Sequence, residues 1–313
     1  MRWKKTGVAT ATVALLSVAA CGGGGSNGDG DGDGTGNGDG TGTGTGATGT
    51  PTFKEGGAGG KAIDPTRKDG PAPAIQGAEE GGTLTLLAAS GLTTMDPTEA
   101  YYTNTYSILS GLVTRALTQY VYDEEANEGE GGMVLIPDVA ESWDSNDDYT
   151  EWTFEIRDGI RYENGDEVTC DDVVFGIKRS MDRETFPGGA AYSNEFFLDG
   201  DKYKGPYKGG DKYDGATCKG STLTIKMESS FPDMPYWGAF PAIGPIPEGD
   251  ASNPATYKNH PLATGPYMFD KYEPGVSLTL VKNPEWDPET DPGRHQYVDS
   301  WNMKFTEDTS KTE

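Results

Sequence analysis

LIPDVAESWDSNDDYTEWTFEIRDGIRYENGDEVTCDDVVFGIKRSMD, residues 135–182, carries both regular periods in one stretch. Trp152, Phe154 and Ile156 alternate with polar neighbours, the period-2 signature of a strand with one buried face. Asp158-Gly159 and Asn164-Gly165 are turn pairs between extended runs, so a small antiparallel meander is predicted. Thr169 and Asp172 then form a capping-box-like helix start, with Val173, Ile177 and Met181 on one face and Lys178 and Arg179 near the end.

Working outward, the same periods recur. Thr83–Leu87 is a short β-rich run behind a glycine pair and reads as a buried strand. Leu109, Leu112, Val113, Ala116, Leu117 and Tyr120 recur at helical spacing, with Thr103, Asn104 or Thr105 available as the cap. Strand-like alternation returns at Leu223, Ile225 and Met227, at Val276, Leu278 and Leu280, and at Trp301, Met303 and Phe305. Mixed helices and strands define an α/β or α+β chain.

The first eighty residues differ. Arg2, Lys4 and Lys5 precede an apolar stretch, Val8 to Ala20, too short to span a bilayer, which predicts an export signal over 1–20. Its end, VAAC, resembles the lipobox of bacterial lipoproteins, which makes Cys21 the expected lipidation site and mature amino terminus. Residues 21–80 are dominated by Gly, Asp, Thr, Ser, Asn and Pro, cannot offset the entropy of ordering, and are predicted to be a disordered linker. Asp29, Asp31, Asp33 and Gly34 sit at calcium-loop spacing, but Gly40 stands where a bidentate Glu is needed. GTGATG, residues 44–49, matches a dinucleotide fingerprint without the flanking strand and helix.

The formal charge of -25 and pI near 4.3 disfavour nucleic acid and anionic headgroups as partners. Acidity also suits the solubility of a secreted protein and does not identify a ligand.

Four blocks resemble the family 5 extracellular solute-binding proteins: residues 81–103, with MDP as the family's turn; residues 135–182; LATGPYMFDKYEPGVSLTLVKNPEWD, residues 262–287; and YVDSWNMKF, residues 297–305. The resemblance implies a class II periplasmic-binding-protein-like fold, α/β, with lobe I built from 81–110 and 241–313 and a smaller α+β domain, 111–240, inserted between. It implies a second lobe beyond this sequence. It also implies a peptide-capturing component of an ABC importer, partnered by permease subunits and an ATPase and held to the membrane by its lipid. Neither cofactor nor metal is implied, and no enzyme activity. Tyr101, Tyr102 and Thr103 follow the MDP turn and are expected to face ligand, with local packing of the tyrosines as the alternative. Phe175 matches a position where an aromatic can approach ligand, although its helical neighbours favour the core. Gly265, Pro266 and Tyr267 resemble a loop near hinge and cleft, or simply a strand-entry turn.

With Cys21 committed to lipid in an exported chain, Cys170 and Cys218 are expected to form a disulfide, with buried free thiols as the alternative. A secreted hydrolase would need a GxSxG elbow, an HExxH helix or a placed carboxylate pair, and only His260 and His295 could serve as bases. A nickel or other small-solute binder remains the alternative within the binding class. Trp143, Trp152, Trp237 and Trp301 read as packing residues rather than a sugar platform.

Overall fold

The computed structural model describes residues 62–92, 94–126, 131–208, 210 and 212–306. Cys21, the export signal, and the calcium-like and fingerprint-like strings lie outside the described residues.

β1 (Thr83–Ala88), leaving the Gly81-Gly82 pair, lies parallel to β10 (Ser300–Phe305), with Leu84 opposite Trp301 and Leu86 opposite Met303. β10 continues antiparallel into β9 (Ser277–Lys282) and β8 (Tyr267–Glu273), giving the order β1-β10-β9-β8. The chain therefore returns at its far end to the strand it started from, and everything between is an excursion. The expectation of a buried first strand is corrected: β1 is an edge strand whose side chains alternate between half-buried and exposed, and Leu87 is 50% exposed. Leu278, Leu280, Tyr267, Phe269 and Met303 pack beneath this sheet with Leu109 and Val113.

A second sheet pairs β2 (Thr118–Asp123) with β3 (Gly132–Pro137). A third has the order β4 (Ala140–Ser145), β5 (Glu151–Ile156), β7 (Thr222–Lys226), β6 (Ala216–Lys219). The alternation read at Trp152, Phe154 and Ile156 places those side chains in the core of this sheet together with Leu223 and Ile225. Asn164-Gly165 turns the chain beside a short Arg161–Glu167 bridge, with Gly165 at φ 90°.

Across this third sheet lies α2 (Cys170–Ser180), following α1 (Thr103–Ile108) in the chain. Thr169 Oγ1 accepts from the Asp172 amide while Asp172 accepts from the Thr169 amide, so the capping box forms as the residue types dictate. Val173 and Ile177 are fully buried. Gly176 faces the turn Pro241–Ile243, where an added Cβ would lie 2.0 Å from the Gly244 carbonyl, so helix and turn meet at backbone distance. Cys170, at the start of α2, is joined to Cys218 of β6 across a Cα separation of 5.9 Å.

Two expectations are corrected. The helix predicted through Tyr120 stops at a π turn, Leu109–Val113, and Tyr120 belongs to β2. Thr118, Tyr120, Val121 and Tyr122 suit a pleated strand, and the ladder to β3 outweighs the helical spacing of the apolar residues. Its cap is Tyr102, without a side-chain hydrogen bond. The linker predicted through residue 80 ends earlier. Ile63 bridges Leu135, the Lys68 carbonyl accepts from Arg157 Nη2 at 2.6 Å, and the Ile75 amide donates to the Tyr297 hydroxyl. Residues 62–80 thus run over the surface as a strap with defined partners, although few of them are apolar.

Four charges are buried where the segments meet. Asp138 Oδ1 accepts from Arg115 Nε at 2.7 Å and its Oδ2 from Arg294 Nη1 at 2.9 Å, while Arg294 Nη1 lies 3.2 Å from Asp291 Oδ2. Gln119 Nε2 and Trp286 Nε1 donate to Asp291, and Arg294 Nε to the Ser110 carbonyl. Burial alone would raise the Asp291 carboxyl, but Arg294 and Arg115 outweigh it and hold it well below the usual carboxylate range.

Candidate functional site

The buried turn Pro97–Glu99 leads into Tyr101, Tyr102 and Thr103 at the surface and into α1, beside α3 (Tyr192–Phe196) and α4 (Met234–Trp237). Aromatic side chains from all of these meet. Tyr106 lies 5.3 Å from Phe240 between ring centroids, and Phe240 lies 4.5 Å from Trp237. Tyr192 is edge-on to Trp237 at 5.1 Å, and Phe196 stacks on Phe231 at 4.4 Å. Tyr101 and Tyr102 touch edge to face at 6.4 Å on the outer side.

The resulting shelf is buried beneath and open above. Trp237 is 3% exposed, whereas Tyr101, Tyr102 and Tyr192 are 48%, 59% and 38% exposed. Contact with the Tyr101 hydroxyl, ahead of burial, raises the Tyr192 pKa. Tyr120 of β2 adjoins the same region: burial first, then the phenols of Tyr106 and Tyr236, raise its pKa. The shelf offers apolar ring faces with hydrogen-bonding hydroxyl tips. Large rigid faces with polar ends suit a wet binding surface that accepts varied ligands.

Of the expected site residues, Tyr101, Tyr102 and Thr103 are exposed at this shelf. Phe175 is not. At 4% exposure it packs with Ile246, Ala251 and Tyr257, edge-on to Tyr207, so its assignment to ligand contact is corrected to the core. Gly265, Pro266 and Tyr267 are likewise buried, and their assignment to the cleft is corrected to a strand-entry turn. The Gly265 amide donates to the Val113 carbonyl, where an added Cβ would lie 2.8 Å from the Leu112 carbonyl, and the Tyr267 hydroxyl donates to the Val298 carbonyl. Trp152 and Trp237 are core, and Trp143 and Trp301 half-buried.

Tyr106, Tyr192, Phe196, Phe231 and Phe240 were not singled out from the sequence. The sole signal was their aromatic type in segments of weak periodicity, which does not tell shelf from core. Among the described residues no cluster of three metal-ligating side chains occurs, and no helix is long and apolar enough to cross a membrane.

The described residues form three sheets with an aromatic shelf beside α1, α3 and α4, and this fold is shared with solved solute-binding proteins. A model described as "Bacterial extracellular solute-binding proteins, family 5 Middle" matches residues 134–313, and the chain belongs to that family. Di/tripeptide-binding protein 1 of Pseudomonas aeruginosa is 27% identical over 195 residues, covering 56% of this chain and 34% of that protein. Heme-binding protein A of Haemophilus influenzae is 26% identical over 184 residues, covering 56% and 33%. Among solved structures, the clavulanic acid biosynthesis oligopeptide binding protein 2 superposes with a TM-score of 0.67 at 29% identity, over 80% of this chain and 43% of that one. The peptide-bound OppA of Listeria monocytogenes shares the fold at a TM-score of 0.58 and 19% identity, over 74% and 44%. The chain thus spans about a third of the length of the curated relatives it matches. The family is one of extracellular solute-binding proteins, which supports a location on the periplasmic or extracellular side.

Proposed function

We propose that the chain captures peptides outside the membrane and delivers them to the permease of an ABC importer, with the aromatic shelf as one wall of the ligand cleft. The observation that carries this reading is the shelf itself: Tyr101, Tyr102 and Tyr192 present exposed faces, and Tyr192 stands edge-on to the buried Trp237. The relatives' names as di/tripeptide- and oligopeptide-binding proteins support peptide as the solute. A binding wall of this kind gives contact area at low entropic cost and leaves discrimination to polar tips. Lobe I would comprise 81–110 and 241–313, because β1 shares its sheet with β8, β9 and β10, and 111–240 would be the inserted domain carrying the third sheet.

The test is calorimetric titration of the purified protein with a library of di- to pentapeptides. Tyr102→Ala and Phe240→Ala should each weaken binding by about tenfold, the value of one well-packed aromatic contact. Leu87→Ala, on the exposed face of β1, should leave it unchanged. Absence of peptide binding, or full affinity in both aromatic variants, would sink the reading. One relative is named a heme-binding protein, so hemin belongs in the same titration, and tighter binding of hemin than of any peptide would reassign the solute.

Anchoring through a lipid on Cys21 completes the proposal, supported by the VAAC string behind a basic and apolar leader. Cys21→Ser should release the protein from washed membranes into the soluble fraction, and unchanged membrane retention would argue against the anchor.

A further inference from the structure

Tyr101 and Tyr102 are the most exposed faces of the shelf, meeting each other edge to face and Tyr192 through the Tyr101 hydroxyl. Tyr102 caps α1 without a side-chain hydrogen bond, and both rings project into solvent. What precedes them is clamped. Asp96, 1% exposed, accepts from the Thr98 amide at 2.9 Å and so closes the turn Pro97–Glu99. The same carboxylate takes two hydrogen bonds from Arg179 of α2, Nη2 to Oδ2 at 2.8 Å and Nη1 to Oδ1 at 3.2 Å.

Arg179 is fully buried, donates through Nη1 to Thr98 Oγ1 at 2.9 Å and through Nε to the Tyr207 hydroxyl at 2.9 Å. Its guanidinium lies 4.5 Å from the centre of the Phe186 ring and 5.2 Å from that of Tyr257. Glu99 adds a bond from the Gly188 amide, and an added Cβ on Gly189 would lie 2.5 Å from the Thr98 carbonyl. A planar fork with four of its donors committed fixes both the position and the rotation of the turn, which a single point charge cannot do.

We infer that Asp96 and Arg179 are positioning residues for ligand capture: the pair pins the turn that carries Tyr101 and Tyr102 to helix α2, and so holds the shelf's outer edge at a fixed distance from Tyr192. This rests on the shelf being a ligand wall. A site held by packed, hydrogen-bonded supports keeps its geometry, and loosening the support costs affinity without touching the ligand. Neither residue is exposed at the shelf, so they act on it through the turn they hold and not by touching ligand.

The test uses the purified protein labelled with 3-fluorotyrosine, with the Tyr101 and Tyr102 fluorine resonances assigned from Tyr101→Phe and Tyr102→Phe. In Arg179→Lys, which keeps the charge and loses the fork, and in Thr98→Val, which removes one acceptor at nearly constant volume, both resonances should shift and broaden. The Tyr267 resonance, beneath the first sheet, should stay. Affinity for a tripeptide library should fall by about tenfold. Thr169→Ala, which weakens the start of the same helix, serves as the control for general destabilisation and should leave the Tyr101 and Tyr102 resonances in place. Unchanged resonances in the folded variants, or shifted resonances with unchanged affinity, would overturn the inference; if Arg179→Lys does not fold, Thr98→Val decides. A protein that binds no tripeptide before any substitution refutes the ligand-wall reading instead, and the fluorine spectra still report whether the pair positions the turn.

Discussion

Replacing Asp138 with alanine is expected to lower folding stability by about 3–5 kcal/mol, the range for removing one partner from a buried ion network. Asp138 is fully buried and bonds both Arg115 and Arg294. Without it two guanidiniums remain in the interior with Asp291 as the remaining acid of the network, and the uncompensated charge, more than the lost contacts, sets the cost. Denaturant unfolding followed by tryptophan fluorescence measures it, with Asp138→Asn, which keeps one acceptor, falling between alanine and the original residue. A loss below about 1 kcal/mol, typical of an exposed pair, would mean that water reaches the network. Asp291 adds a pH signature. Its carboxyl is depressed in the folded state, so its contribution is fully present above its unfolded pKa of about 3.9 and is lost only as pH falls through the folded value. Between pH 7 and about 5 Asp291 should therefore add no slope to stability.

How much of this was legible in the sequence depends on whether the deciding interaction is local. The capping box at Thr169 and Asp172 and the alternation at Trp152, Phe154 and Ile156 are set by neighbours a few residues apart, and both formed as read. The helix predicted through Tyr120 failed because the ladder to β3, a segment distant from it in sequence, outweighed the helical spacing of its apolar residues. The strap over 62–80 failed for a related reason: its fixed points are Leu135, Arg157 and Tyr297, none predictable from polar composition. At the shelf, Tyr101 and Tyr102 were reached through resemblance, whereas Tyr192 and Phe240, 48 positions apart in the sequence, meet only in three dimensions. Phe175 was misplaced because an aromatic on an amphipathic helix looks the same whether its far side meets ligand or Tyr207.

Removing the Cys170–Cys218 bond is the second large change expected. The bridge closes a separation of 48 residues, and constraining a loop of that length in the unfolded chain is worth about 4 kcal/mol in the chain-entropy account. Cys170→Ser with Cys218→Ser should lower stability by that order, and reductant should bring the unsubstituted protein to the same denaturation midpoint while leaving the double variant where it is. Equal midpoints for all of them, with or without reductant, would show that the bond contributes nothing. The consequence reaches the shelf. Between the two cysteines run α2, α3 and residues 198–215, among whose described members no helix or strand occurs, so this stretch gains from its ends being held together. One end is the start of α2, whose Arg179 holds the turn before Tyr101; within the loop, α3 carries Tyr192. Opening the bridge frees β6 at the sheet edge from the helix start, and local opening follows the least-held segment first. Amide exchange should therefore accelerate across 192–218 before it does so in β5 and β7, and peptide affinity should fall under reducing conditions at temperatures where the third sheet is still folded.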